Sequence, residues 1–199
     1  MAKEKILFNR KTEEYQLHVD DSNSGKYLAA VIRDLTSRLL TEDDDLIVLC
    51  IGTDRCTGDA LGPLIGSRLL EDGLPHVHIY GTLEHPVHAT NLEETLAKLK
   101  ERHKQAKIIA IDACLGRIDN IGRIIVGRGP LKPGAGVNKD LPPVGDLYIT
   151  GVVNVGGFMD YLVLQNTRLY LITRLANVIA EGLAQGLASL ALQRQVSPG

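Results

Sequence analysis

An α/β fold, with helices layered on a sheet that is covered on both faces, is what the order of apolar segments in this chain predicts. Three observations carry the prediction. The runs Leu46–Ile51 and Ile108–Ile111 are uniformly apolar, as expected of central strands buried on both sides. Segments with apolar residues at helical spacing alternate with these runs. Strand–helix alternation without an internal repeat favours a mostly parallel or mixed sheet with helices packed on it.

The elements follow in chain order. Met1 to Asp20 is polar and mixed, so 1–22 reads as an N-terminal extension and 23–199 as a single α/β domain. Such an extension packs loosely or swaps onto a second copy, which would make a homo-oligomer. Ser22 to Ser24 could cap a helix from about Lys26 to Leu40, where Leu28, Val31, Ile32, Leu35 and Leu39 share a face. Asp43 to Asp45 reads as a charged turn before the strand Leu46–Ile51. Ala60 to Leu70 is helical, with Pro63 in a first turn where a missing N–H costs little. Val77–Tyr80 is a short strand. Asn91–Lys104 is a helix with a stripe of Leu92, Leu96 and Leu99, and Thr90 or Asn91 as its cap. A third strand ends at Asp112, Ile118–Val126 suggests a hairpin about Asp119-Asn120, and Leu147–Val155 is a further strand. Arg168–Gln193 closes the chain as a long amphipathic helix in which Gly182 and Gly186 permit close packing.

Composition narrows the function. The 199 residues are 44% hydrophobic with a net charge of -2, which gives no electrostatic reason to expect nucleic acid or an anionic membrane as partner. Three cysteines without a CxxC pair argue against a disulfide framework or cysteine zinc site and for a reducing cytoplasm. No run approaches the roughly 18 apolar residues of a membrane span, and the N-terminus has no apolar signal core.

In open α/β sheets ligands bind beyond the carboxyl ends of the strands. That rule selects Gly52-Thr53-Asp54, Gly81 to His85, Asp112-Ala113-Cys114 and Asn154 to Gly157. The segment "IGTDRCTGDALGP" looks at first like a phosphate loop. It lacks the lysine of the GxxxxGK motif and the GxGxxG fingerprint, and two carboxylates already occupy the helix N-terminus where an anion would sit. Asp59 alone could be a helix cap. Asp112, closing an apolar run, is costly to bury unless paired, protonated or metal-bound. Two aspartates on neighbouring strand ends would face one cleft and share a proton. One could then take a proton from water while the other polarises a carbonyl.

"IGTDRCTGDALGPLIG" together with "IIAIDACLG" resembles the YyaC-type family of sporulation proteins, often described as candidate spore proteases, from about Leu46 to Leu183. More distantly the chain is similar to the germination protease of endospore formers and to hydrogenase maturation proteases. Thr57–Pro63, Ala110–Ala113 and the "KPGAGV" loop Lys132–Val137 match three germination protease motifs in the same order. The resemblance implies a phosphorylase/hydrolase-like three-layer α/β/α sandwich. It also implies an aspartate-dependent peptidase acting on a protein or peptide, in the cytoplasm of mother cell or forespore. The catalytic pair carried over is Asp59 and Asp112. Gly52, Asp54, His88 and Asn154 border the cleft as substrate-binding candidates, with Asp54 and nearby amides orienting water or carbonyl. In hydrogenase maturation proteases the matching acids, with a histidine, bind the substrate's nickel. Here no histidine follows His103, and the long insertions of germination protease are absent.

Other readings stand beside this one. A module of the same fold that binds a peptide or metal without cleaving would keep the same cleft. The peptidase reading needs no cofactor, but His85 or His88 could join the two acids at a divalent metal. Cys56, before a helix, is an alternative nucleophile, as is Cys114. Gly127–Asp146 could form a flap, with Lys132 and Lys139 pairing acidic groups. His76 and His78 read as structural, and His18 and His103 as surface residues.

Overall fold

The computed structural model describes residues 6–9, 13–41, 44–134, 141–157 and 159–196, the last turns of the final helix by backbone alone. In order, the elements are β1 (Leu7–Asn9), β2 (Glu14–His18), α1 (Ser24–Leu39), β3 (Leu46–Cys50), α2 (Leu61–Asp72), β4 (Val77–Tyr80) and α3 (Leu92–Arg102). They continue as β5 (Lys107–Gly116), β6 (Arg123–Arg128), β7 (Leu147–Val155), α4 (Asp160–Gln165) and α5 (Leu169–Val196). The strands form one sheet in the order β1-β2-β6-β7-β5-β3-β4. β4, β3, β5 and β7 are parallel, and β6, β2 and β1 extend the sheet antiparallel.

The uniform apolarity of β3 has a direct cause. Successive side chains alternate between faces. Leu46, Val48 and Cys50 pack into the core beneath α1, α2 and α5, while Ile47, Leu49 and Ile51 meet Leu92 and Leu99 of α3. The result is a three-layer α/β/α sandwich. α5 lies on α1 where a Cβ at Gly182 would strike Leu28 and one at Gly186 would press on Ile32, the close approach those glycines suggested.

The structure departs from the sequence reading in three places. The N-terminal segment does not pack loosely: β2 pairs along β6, and Leu17 and Val19 are buried in the core. Its two-residue alternation, Tyr15-Leu17-Val19, was masked by polar neighbours on the other face. β5 does not stop at Asp112 but continues to Gly116, because β7 supplies partners where β3 has ended, Asp112 opposite Thr150 and Gly116 opposite Val155. Nor is Ile118–Val126 a hairpin. A single 3-10 turn (Ile118–Asn120) leads into β6, which pairs with β2 and β7, and β7 separates it from β5.

α2 is held against the end of β3 by backbone-to-backbone contact. A Cβ on Gly62 would collide with the Ile51 carbonyl, and one on Gly66 with the Gly81 carbonyl. Gly62→Ala must therefore push α2 off the sheet, and overpacking of this kind costs about 1–3 kcal/mol. Urea denaturation should show a lower midpoint with an unchanged slope; a midpoint equal to wild type would contradict this packing.

Candidate active site

β3 ends in a set of backbone bonds that aim the following turn. Ile51 N–H donates to Ile111 O (2.7 Å) and Gly52 N–H to Val87 O (2.7 Å). The chain then loops back, and Thr53 N–H donates to Asp59 O (3.1 Å). Gly52 has φ +145°, and a Cβ there would collide with that same Asp59 carbonyl. The glycines of this segment thus permit close backbone packing. Asp59 lies in a 3-10 turn, Gly58–Ala60, directly before α2, and no side chain makes a capping bond at the start of α2. Its carboxylate instead faces the Cys56 thiol, which favours its charged form. Burial raises the Asp59 pKa above the ordinary carboxylate value, and the thiol draws it back in part.

Asp112 sits on β5, the strand beside β3, one residue past the point where Cys50 pairs with Ile111. It is buried, and it accepts a hydrogen bond from Ala113 N–H (2.8 Å). Burial pushes its pKa up to about 7; the Asp59 charge pushes it the same way, and the amides of Ala113 and Gly134 oppose the rise. The influence of Gly134 brings the "KPG" loop into the electrostatics of the acid. Leu131, Lys132, Pro133 and Gly134 line the cavity above it, and Leu131 and Val144 exchange backbone bonds (2.8 and 2.9 Å) that pin the base of the loop. Lys139 and the rest of 135–140 lie outside the described residues.

Asp59, Asp112, Gly52 and His88 all line one cavity of about 640 Å³. His88 is placed by Asn91. The Asn91 side chain turns back from its helix to accept from His88 N–H (2.8 Å) and donate to Pro86 O (3.0 Å), instead of capping α3. Thr90 Oγ1 lies 2.9 Å from His88 Nδ1. Among the described residues, His85 and His88 do not bring a third ligand atom to the two aspartates at metal-holding distance. His85 is exposed and borders a separate pocket beyond β4.

Two of the sequence candidates fall outside this cavity. Asp54, one residue past Thr53, is exposed and is not part of the lining. Asn154 is occupied structurally: it donates to Val163 O (3.3 Å) and Thr167 Oγ1 (3.2 Å), fastening β7 to α4. In its place α4 contributes Asp160, Tyr161 and Leu164 to the wall, and Arg55 and Thr150 also line it. The sequence held little sign of α4 beyond Asp160, which accepts a hydrogen bond from Gly157 N–H (2.8 Å). The thiols are poor nucleophiles here. Burial raises Cys56, and it raises Cys114 to about 11 despite a bond to Thr150, so both stay protonated at neutral pH.

A family model described as "Protein of unknown function (DUF1256)" matches residues 16–182. The chain belongs to this family. It is 58% identical over 139 residues to the uncharacterized protein YyaC of Bacillus subtilis (strain 168), a match covering 70% of this chain and 68% of that one. Among solved structures it is similar to the NiFe hydrogenase maturation protease HycI from Thermococcus kodakarensis KOD1. The TM-score is 0.52 at 21% identity, with 79% of this chain and 98% of the other covered. That likeness is one of fold, and it extends the α/β/α architecture across nearly all of the archaeal protein.

The raised acid gives this DUF1256 protein a pH signature. An unfolded Asp titrates near about 3.9, whereas Asp112 titrates at about 7 in the fold. The native state thus binds the proton more tightly. Its stabilising effect is complete below the unfolded pKa and is lost as pH rises through about 7. Asp112→Asn mimics the protonated form, so its stability relative to wild type should improve steadily between pH 4 and pH 8. Urea denaturation at several pH values measures this; a pH-independent difference would mean that Asp112 is ionised throughout.

Proposed function

We propose that this protein is a peptidase that cleaves a protein substrate at the Asp59–Asp112 pair, in the cytoplasm of a sporulating cell. The observation that carries the reading is the pairing itself: two carboxylates in one cavity, the buried one holding its proton to about pH 7 under the influence of burial and of the other. Asp59, in the turn and less buried, takes the role of base. It removes a proton from water as the water oxygen attacks the peptide carbonyl carbon. Protonated Asp112 donates to the carbonyl oxygen, which gives a gem-diol. As the C–N bond breaks, the proton held by Asp59 passes to the departing amine and one hydroxyl returns its proton to Asp112, leaving the carboxylic acid product and the pair in its starting state. The fold shared with a maturation protease and the three motifs resembling germination protease support a polypeptide substrate. So does the cavity wall. Tyr161 lines it, and Met159, Tyr161 and Leu162 expose large apolar surface around α4, which suits side chains of an extended chain. Lys132, which lines the cavity on the pinned loop, would pair with an acidic substrate group in this reading.

Asp59→Asn and Asp112→Asn should each keep the fold and lower cleavage of small soluble spore proteins by about 10² or more. Activity should also decline as pH rises through about 7, where Asp112 loses its proton. Peptide release followed by mass spectrometry, alongside thermal melting of the same samples, provides the check. Wild-type cleavage by either variant refutes the pair. Saturable binding of those proteins without any cleavage by wild type would instead identify a binding module on the same cleft.

A further inference from the structure

The opposite end of the sheet carries a second cluster of chemistry. Alternation along β3 puts Asp45, Ile47 and Leu49 on the α3 face, and the parallel pairing of Ile47 with His78 and Leu49 with Tyr80 puts His78 and Tyr80 beside them. α3 then ends at His103, directly over this row. Nothing in the chain order associates these residues, and His78 and His103 read from the sequence as structural and surface positions.

The atoms converge. Asp45 Oδ2 lies 3.0 Å from His103 Nδ1, and Asp45 Oδ1 lies 3.8 Å from His78 Nε2. One donor atom from each of the three residues fits within 4.8 Å of the other two. The two imidazole rings stand 4.2 Å apart, centroid to centroid, tilted by 45°. Two protonated rings at that separation would repel, whereas two neutral rings beside a carboxylate form an N2O donor set. Tetrahedral zinc, with bonds of about 2.0–2.1 Å, needs ligand atoms roughly 3.3–3.5 Å apart. The carboxylate lies 3.0 Å from one ring nitrogen through Oδ2 and 3.8 Å from the other through Oδ1, so small side-chain rotations bring the three donors to that spacing.

We propose that Asp45, His78 and His103 form a binding site for a first-row divalent metal ion of the zinc type, separate from the carboxylate cavity. His103 binds through Nδ1, His78 through Nε2 and Asp45 through its carboxylate, with a fourth position open to water. Tyr80 serves as the outer support: its Oη lies 3.0 Å from His103 Nε2. With Nδ1 on the metal, Nε2–H donates to Tyr80 Oη and fixes the ring, the arrangement usual for metal-bound histidine. Asp45 is anchored from behind, since Lys107 N–H donates to its backbone carbonyl (2.8 Å). The side chains of His78 and Asp45 are 43% and 51% exposed, which leaves a route in from solvent, while that of His103 is 11% exposed and anchors the set. β3 separates this cluster from Asp59 and Asp112; its five residues span on the order of 15 Å. A metal here would therefore fasten the ends of β3, β4 and α3 without entering the acidic cavity.

The test is a Co²⁺ titration of the full chain, stripped beforehand with chelator, followed by visible absorption and by Zn²⁺ competition. Wild type should bind one Co²⁺ per chain with tetrahedral d–d bands that Zn²⁺ abolishes. His78→Ala and His103→Ala should each weaken binding by tenfold or more, and Tyr80→Phe by about tenfold. Asp59→Asn combined with Asp112→Asn should leave it unchanged, so the result is independent of the proposed peptidase. His78 lies on an edge strand, so His78→Ala decides the matter if His103→Ala melts early by circular dichroism. No saturable Co²⁺ binding by wild type overturns the proposal. Binding that survives His78→Ala but disappears in the aspartate double variant also overturns it, by placing the metal in the acidic cavity.

Discussion

The contact between the end of β3 and the start of α2 is the constraint from which the acidic cavity follows. At Gly52 and Gly62 the two backbones approach so closely that a single Cβ on either would strike a carbonyl oxygen. This closeness folds the Gly52–Ala60 segment back on itself, with Thr53 N–H bonded to Asp59 O, and holds Asp59 over the neighbouring strand. Asp112 is fixed independently by the register of β5 against β3 and β7. The two carboxylates are thus brought together by backbone geometry, against their own repulsion.

That repulsion is tolerated because each acid is partly compensated. Asp112 accepts from Ala113 N–H and also feels the amide of Gly134 in the cavity lining, and Asp59 is stabilised by the Cys56 thiol. Compensation is incomplete, so the proton affinity of Asp112 rises into the neutral range. A well-hydrated pair would be fully ionised and chemically idle at neutral pH. Burial, adverse for stability, is what lets Asp112 hold a proton near neutral pH.

The two ends of the parallel strands have different characters for a general reason. At the carboxyl ends, strands of unequal length leave a depression that turns and α4 enclose. At the amino ends, the charged turn before β3, the edge strand β4 and the last turn of α3 meet at the surface, and their polar side chains need only reach one another. Asp45, His78 and His103 are far apart in the chain, and each would be unremarked alone.

The sequence by itself determined the α/β class, the buried character of β3 and β5, and the place of Asp59 in the glycine-rich turn after β3 and of Asp112 directly after the apolar run of β5, because burial on both faces and glycine-rich turns leave local marks in composition. It did not show β2 joining the sheet, since one buried face of a polar strand resembles an extension until a partner strand is present. It could not distinguish His88, held in the cavity wall by Asn91, from Asn154, whose amide is consumed by α4 and Thr167; His88 follows β4 and Asn154 lies near the end of the β7 ladder, and only the packing of the next helix separates their roles. The approach of His78 and His103 to Asp45 was likewise invisible. It depends on the pairing of β3 with β4 and on where α3 ends above them, which are relations between distant segments that only the tertiary structure decided.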